Sequence, residues 1–305
     1  MFTVVGEALV DLVGRPPQFT AFAGGSPFNV AITLARLGRP VALVARTGRD
    51  GFGRMLEDKA RASGVSFDRW QVVDEPTTLA VATLDEDGSA QYDFYLDATA
   101  GLGWGDDVVD LVPTGGVLHL GSLSSWRPPS DGPLQALQRD AYSSGRTLVS
   151  YDPNVRPALI DDRRAVLVGI ERCVAAAHVV KASDEDVAYL YPELALAAVA
   201  RRWCELGASL VVVTLGRSGA VAFGADGEIA RRPGLPITLA DTVGAGDSFM
   251  GGLLAALGEV TPDDLPGADV DAALAQAIAV SAMTCERNGA DPPTRAELDS
   301  RLRAV

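Results

Sequence analysis

The chain has 305 residues, of which 48% are hydrophobic, and a formal net charge of -14. That length and apolar share suit one large α/β domain, or a domain with a small appendage. An acidic surface repels phosphate backbones and anionic lipid, so no nucleic-acid or membrane partner is expected; a small anion held by a local cluster of donors remains compatible.

The N-terminus, Met1-Phe2-Thr3-Val4-Val5-Gly6, reads directly as a strand. No basic stretch leads into an apolar segment there, so no signal peptide is expected, and no apolar run approaches the length of a membrane span. Short β-branched runs recur at 41–44, 117–120, 147–151, 179–181 and 210–214, and amphipathic stretches of helical length lie at 52–62, 133–143, 163–176 and 194–206. This alternation predicts βαβ units, a largely parallel sheet and helices on both of its faces. Between them, 77–84 and 90–96 alternate in polarity around Asp85-Glu86-Asp87-Gly88, a hairpin turn. With 65–73, which also reads as extended, they predict a small antiparallel flap. A second hairpin is expected near Ala225-Asp226-Gly227, and a last helix at 295–302. Cys173, Cys204 and Cys285 are too few and too scattered for a disulfide framework or a metal site, which points to a reducing compartment. Two histidines, His119 and His178, leave little for a histidine-based centre.

The most informative stretch is Asp241-Thr242-Val243-Gly244-Ala245-Gly246-Asp247-Ser248-Phe249, followed by small and apolar residues up to Gly258. Glycines let backbone N–H groups converge on one point, and a helix N-terminus adds unpaired donors and partial positive charge. Such a nest suits a phosphoryl group. Asp247 at its edge is placed to take a proton from an attacking hydroxyl, the pairing that phosphoryl transfer requires. The alternative is that Asp247 caps the helix. A second stretch, Gly24-Gly25-Ser26-Pro27-Phe28-Asn29-Val30-Ala31, reads as a glycine turn into a helix with Ser26 as N-cap and Gly38 beyond its end. Neither stretch is a Walker loop or a dinucleotide fingerprint, which disfavours a nucleotide-linked oxidoreductase.

The pair, Gly24-Gly25…Asn29…Ala31…Leu37-Gly38 and 241–247, resembles the two motifs of the ribokinase-like (PfkB-type) carbohydrate kinases, in the right order and across essentially the whole chain. The resemblance implies a ribokinase-like three-layer α/β sandwich, a single domain over 1–305 with a β-strand lid at about 11–22 and 65–104. It implies ATP with Mg2+ as phosphoryl donor, Asp247 as base, and Gly244, Ala245 and Gly246 as the anion nest. On the sugar side it assigns Asp11, Gly24, Gly25 and Asn29, with Arg156 facing the substrate or the phosphates. On the ATP side it assigns Lys181, Ser183, Asp186, Thr214 and Gly216. Ser183 and Asp186 stand where the family often has Asn and Glu, and they read equally well as a helix start. Asp241, with carbonyls near Val243, Thr284 and Gly289, is the family's place for a monovalent cation, K+.

Asp152-Pro153-Asn154-Val155-Arg156-Pro157, His119-Leu120-Gly121-Ser122-Leu123 and the stretch from Thr284 to Pro293 are similar to the fructokinase branch. An alternating strand turns one of Phe94 and Tyr95 toward the sugar, and Tyr95 is assigned that role. Leu96 stands where some relatives carry arginine, which fits a neutral sugar. Fructose is the expected substrate, with ribose, 2-keto-3-deoxygluconate, a nucleoside such as adenosine, or non-catalytic sugar binding as alternatives. The sparse cysteines and the absence of a signal peptide point to the cytoplasm, and the exposed edge of the flap, through which family members often pair, points to a homodimer.

Overall fold

Apolar β-branched runs form the middle of the molecule. A computed structural model describes residues 1–85, 90–258 and 260–303. Six parallel strands lie side by side: β4 (Val41–Val44), β1 (Phe2–Val5), β9 (Gly116–Gly121), β10 (Thr147–Asp152), β11 (Val179–Ser183) and β12 (Leu210–Thr214). The antiparallel strands β13 (Ala220–Gly224) and β14 (Gly227–Arg232) complete an eight-stranded sheet. They are joined at Ala225-Asp226, as expected. β1, β4 and β10 are buried along their whole length. Strands covered on both faces have no use for a polar side, which is why these runs lack alternation.

Helices cover each face and make three layers, as the resemblance implies. The helices α1 (Ser26–Arg36), α2 (Gly51–Ala62), α8 (Ala245–Leu257), α9 (Val270–Cys285) and α10 (Arg295–Arg303) contribute to one core. The helices α3 (Ser122–Trp126), α4 (Asp131–Ser143), α5 (Arg163–Val174), α6 (Asp184–Leu190) and α7 (Leu196–Leu206) contribute to the other. The small residues of α8 let it sit close between two neighbours. A Cβ on Gly251 would come within 2.6 Å of Thr33 on α1, and one on Gly252 within 3.1 Å of Ala277 on α9. Among the described residues, no helix is long and apolar enough to cross a membrane.

The remaining strands correct two expectations, and the start of α1 corrects a third. β2 (Leu9–Arg15), β3 (Gln18–Gly24), β7 (Thr78–Leu84) and β8 (Ala90–Tyr95) form a second sheet in the order β3-β2-β7-β8. It is mixed rather than antiparallel: two hairpins join through a parallel β2–β7 pair. Residues 86–88 of the expected β7–β8 turn lie outside the described residues. The 65–73 stretch does not belong to this sheet. Only β6 (Gln71–Val73) is a strand, and it pairs with β5 (Arg46–Gly48). Ser26 is not the N-cap of α1 but its first helical residue. The cap position is Gly25, whose φ of 103° and close approach to the Glu7 carbonyl leave no room for a side chain.

Candidate active site

The parallel strands end on one side of the sheet, where ligands of open α/β sheets bind. The start of α8 faces that side. Gly244, with φ 74°, turns the chain into the helix, and the Ala245 carbonyl is fixed by hydroxyls of Ser248 and Ser281 at 3.1 and 3.0 Å. First-turn N–H groups have no partner within a helix; the Ala245 N–H donates to the Thr242 carbonyl at 3.2 Å, which leaves those of Gly246 and Asp247 as the donors an anion could meet.

Asp247 is the third residue of α8, and among the described residues its carboxylate does not cap a backbone N–H. Instead its Oδ2 accepts from Asn29 Nδ2 at 2.8 Å. A carboxylate only accepts, so the Asn29 amide must turn its NH2 toward it. Asn29 sits in the first turn of α1, buried and anchored by its N–H to the Gly25 carbonyl at 2.9 Å. Gly24 lies against Asp11: any side chain there would overlap the Asp11 carboxylate. Burial pushes Asp11 up to about 6, the positive charge of Arg156 opposes this, and the charge of Asp247 adds to it. Asp11, Arg156, Asn29 and Asp247 are thus brought together, with Gly24 and Gly25 behind them. The exposed Arg156 bonds Asn154 Oδ1 at 2.7 Å and the Val155 carbonyl at 3.1 Å. Among the described residues it has no ion pair, so it is free to meet an anion.

On the other side of Asp247, Lys181 Nζ donates to Asp152 Oδ2 at 2.8 Å. Burial alone would push Lys181 down, but Asp152, Asp186 and Asp247 outweigh it and hold the ammonium charged. Burial also raises Asp152, to about 6, against the pull of Lys181. Ser183 and Asp186 realise the helix-start alternative. Ser183 Oγ accepts from Asp186 N and Asp186 Oδ2 from Ser183 N, both at 3.0 Å, a reciprocal capping box. Asp186 Oδ1 accepts from Val155 N at 2.9 Å, tying the Asp152–Arg156 loop to α6. Lys181, Ser183, Asp186, Thr214 and Gly216 line one cleft with Gly246, about 330 Å³ in volume.

Asp241 bridges two loops. Its Oδ1 accepts from Val243 N at 3.0 Å and its Oδ2 from Gly289 N at 2.8 Å, while its own N–H donates to the Cys285 carbonyl at 3.2 Å. Thr284 is buried next door, its hydroxyl donating to the Val280 carbonyl at 2.9 Å. Among the described residues, no three His, Cys, Asp or Glu side chains cluster to hold a metal ion.

Tyr95 is not brought to this site. The register aligns Phe22, Asp11, Ala80 and Phe94 across the second sheet, on one face. Tyr95 pairs with Leu79 on the opposite face and is 60% exposed. Phe94 therefore takes the inward role, stacked on Tyr92 at 5.9 Å between ring centres. Phe22, on the Asp11 face, reaches the Gly289 loop. The sequence reading missed Phe22 and Asp152. It also missed Glu7, a carboxylate 1% exposed that accepts from Ser124 Oγ at 2.6 Å and Ser124 N at 3.2 Å. A lone acid among the apolar residues that open the chain was the available signal. His119 is no candidate base: burial holds its imidazole down to about 3, and its Nδ1 pairs with Ser150 Oγ at 2.9 Å.

Comparison with known proteins agrees with this arrangement. The family model of the pfkB family carbohydrate kinases matches residues 2–297. A fructokinase of Rhizobium leguminosarum bv. trifolii is 36% identical over 264 residues, covering 84% of this chain and 79% of that protein. The fructokinase of Xylella fastidiosa, solved with bound ATP, has a TM-score of 0.87 at 28% identity, over 99% of this chain and 98% of that one. A double-mutant fructokinase of Vibrio cholerae O395, solved in a fructose-, ADP- and potassium-bound form, has a TM-score of 0.85 at 26% identity, over 98% and 97%. With the family model matching nearly the whole chain, and both motifs meeting where Asn29 bonds Asp247, this protein belongs to the pfkB family of carbohydrate kinases.

Proposed function

We propose that this kinase transfers the γ-phosphoryl group of ATP to a hydroxyl of fructose. The observation that carries the reading is Asp247: in the first turn of α8, its carboxylate held by Asn29 at 2.8 Å. The hydroxyl oxygen forms the new bond to the γ-phosphorus and its proton passes to Asp247. The bond from that phosphorus to the β–γ bridging oxygen breaks, and ADP leaves. The first-turn N–H groups of α8 would take the charge on the phosphoryl oxygens. Asp11, beside Gly24, would accept from sugar hydroxyls, with Arg156 close by.

The cleft lined by Lys181, Thr214, Gly216 and Gly246 fits the phosphate side of ATP, since it offers an ammonium and a helix end. Mg2+ would be held largely by phosphates and water, in keeping with the donor set present. Asp241 suits a monovalent cation: one carboxylate, fixed between two loops whose backbone carbonyls supply neutral oxygens. The β3-β2-β7-β8 sheet would serve as the lid, because its Asp11 face also carries Phe22 and Phe94. Fructose is favoured by the named relatives and by Leu96, which leaves no cation there for a sugar carboxylate.

The test is ADP release with magnesium and potassium against fructose, ribose, glucose, tagatose, 2-keto-3-deoxygluconate and adenosine. Selective release with fructose is expected. Release with another compound alone would overturn the substrate, and silence across the panel would count against the reaction.

A further inference from the structure

The Asp152–Lys181 pair runs against what stability alone would select. Its side chains are 5% exposed on Lys181 and 1% on Asp152. Removing two charges from water carries a desolvation penalty that a well-packed apolar pair would avoid. The ammonium also sits at an unfavourable place, because a methyl group on Gly246 would lie 3.0 Å from Lys181 Nζ. A cation beside the N-terminus of a helix faces partial charge of its own sign. Local rules broken together in this way mark function.

Both features make sense once an anion enters the nest, since Nζ and the first-turn N–H groups of α8 then converge on it. An ammonium has three donors. Lys181 gives one to Asp152, its hydrogen-bond partner among the described residues, which leaves donors for a phosphoryl oxygen. Asp186 is tied elsewhere: its oxygens accept from the Val155 and Ser183 N–H groups, and among the described residues it makes no hydrogen bond to Lys181. Asp152 holds the ammonium instead: it lies at the end of β10, in bond contact with Lys181 on the adjacent strand β11, and it is buried.

We propose that Asp152 is a positioning residue for phosphoryl transfer: it holds the Lys181 ammonium against Gly246, where Lys181 contacts the transferred group. The inference rests on the kinase reading above. It assigns Asp152 no contact with the sugar and no share in proton transfer. Its whole effect passes through Lys181.

A double-mutant cycle on the full chain tests it, with Asp152→Asn, Lys181→Met and the two combined. The combined variant replaces the ion pair by neutral groups of similar size, so it keeps the fold free of an unpaired buried charge. Asp152→Asn is expected to lower kcat by about tenfold or more while KM for fructose changes by less than about twofold. In the Lys181→Met background the same substitution is expected to lower kcat no further. Loss by the same factor in both backgrounds would show that Asp152 acts independently of Lys181 and overturn the proposal. So would an Asp152→Asn protein that melts earlier yet keeps the wild-type kcat, the result of a purely structural role. A wild-type chain that turns over no sugar would overturn the kinase reading, and this inference with it. A wild type that turns over while all three variants match it would overturn the inference alone.

Discussion

Asn29 donates to the carboxylate of Asp247 at 2.8 Å across 218 residues of sequence. Each residue lies in the first turn of its own helix, and α1 and α8 pack closely through Thr33 and Gly251. The helix contact therefore sets the aim of the Asp247 carboxylate, and the Gly24-Gly25 loop and the 241–247 loop are built as one unit. Asn29→Asp would put a second carboxylate against the first, and two such groups resist ionising together. The acid limb of the kcat–pH profile is expected to move to higher pH. An unmoved limb would show that the contact does not matter to catalysis.

Asp11 gives a pH prediction. Burial raises it from 3.8 to about 6, so between those values the folded protein holds a proton that the unfolded chain has lost. By linkage, its contribution to stability is fully present below pH about 4 and is lost as pH rises through about 6. Asp11→Asn removes the cost of the buried charge. It is expected to raise the melting temperature at pH 7, to leave it nearly unchanged at pH 4, and to abolish sugar binding. Equal shifts at both pH values would contradict the account.

The parity of β8 separates two neighbouring aromatics. Phe94→Ala is expected to raise KM for the sugar by about tenfold, since a lost aromatic contact is worth about 1 kcal/mol or more. Tyr95→Ala, on the outer face, is expected to leave both KM and kcat within about twofold of wild type. Steady-state kinetics with varied fructose decides, and the reverse pattern would mean that the strand register is wrong.

Gly244 is tested by the simplest substitution. At φ 74° a side chain is strained, and a Cβ there would lie 2.6 Å from that of Ala290. Gly244→Ala is expected to cost about 1–3 kcal/mol in urea unfolding, and to lower kcat by displacing the first-turn N–H groups. Wild-type stability would show that the loop relaxes freely.

Much of this was legible in the sequence because it is local. The strands at 41–44 and 210–214 and the Gly-Ala-Gly turn before α8 were readable from β-branched runs, glycine and period. What was missed depends on partners far along the chain. Alternation fixes only that one of Phe94 and Tyr95 shares a face with Asp11; the pairing of Phe94 with Ala80, and of Ala80 with Asp11, says which. The 65–73 stretch reads as flap until β6 finds β5, a pairing that no local pattern encodes. Asp152 carries no mark of its role until β10 and β11 lie side by side and Lys181 reaches it.

The most direct measurement pairs sugar binding with turnover in Asp247→Asn. Calorimetry is expected to show fructose bound within a few-fold of wild type, while ADP release falls by about 10²–10⁴. Near-normal ADP release from the variant that still binds sugar would remove Asp247 from the chemistry and contradict the account at its centre.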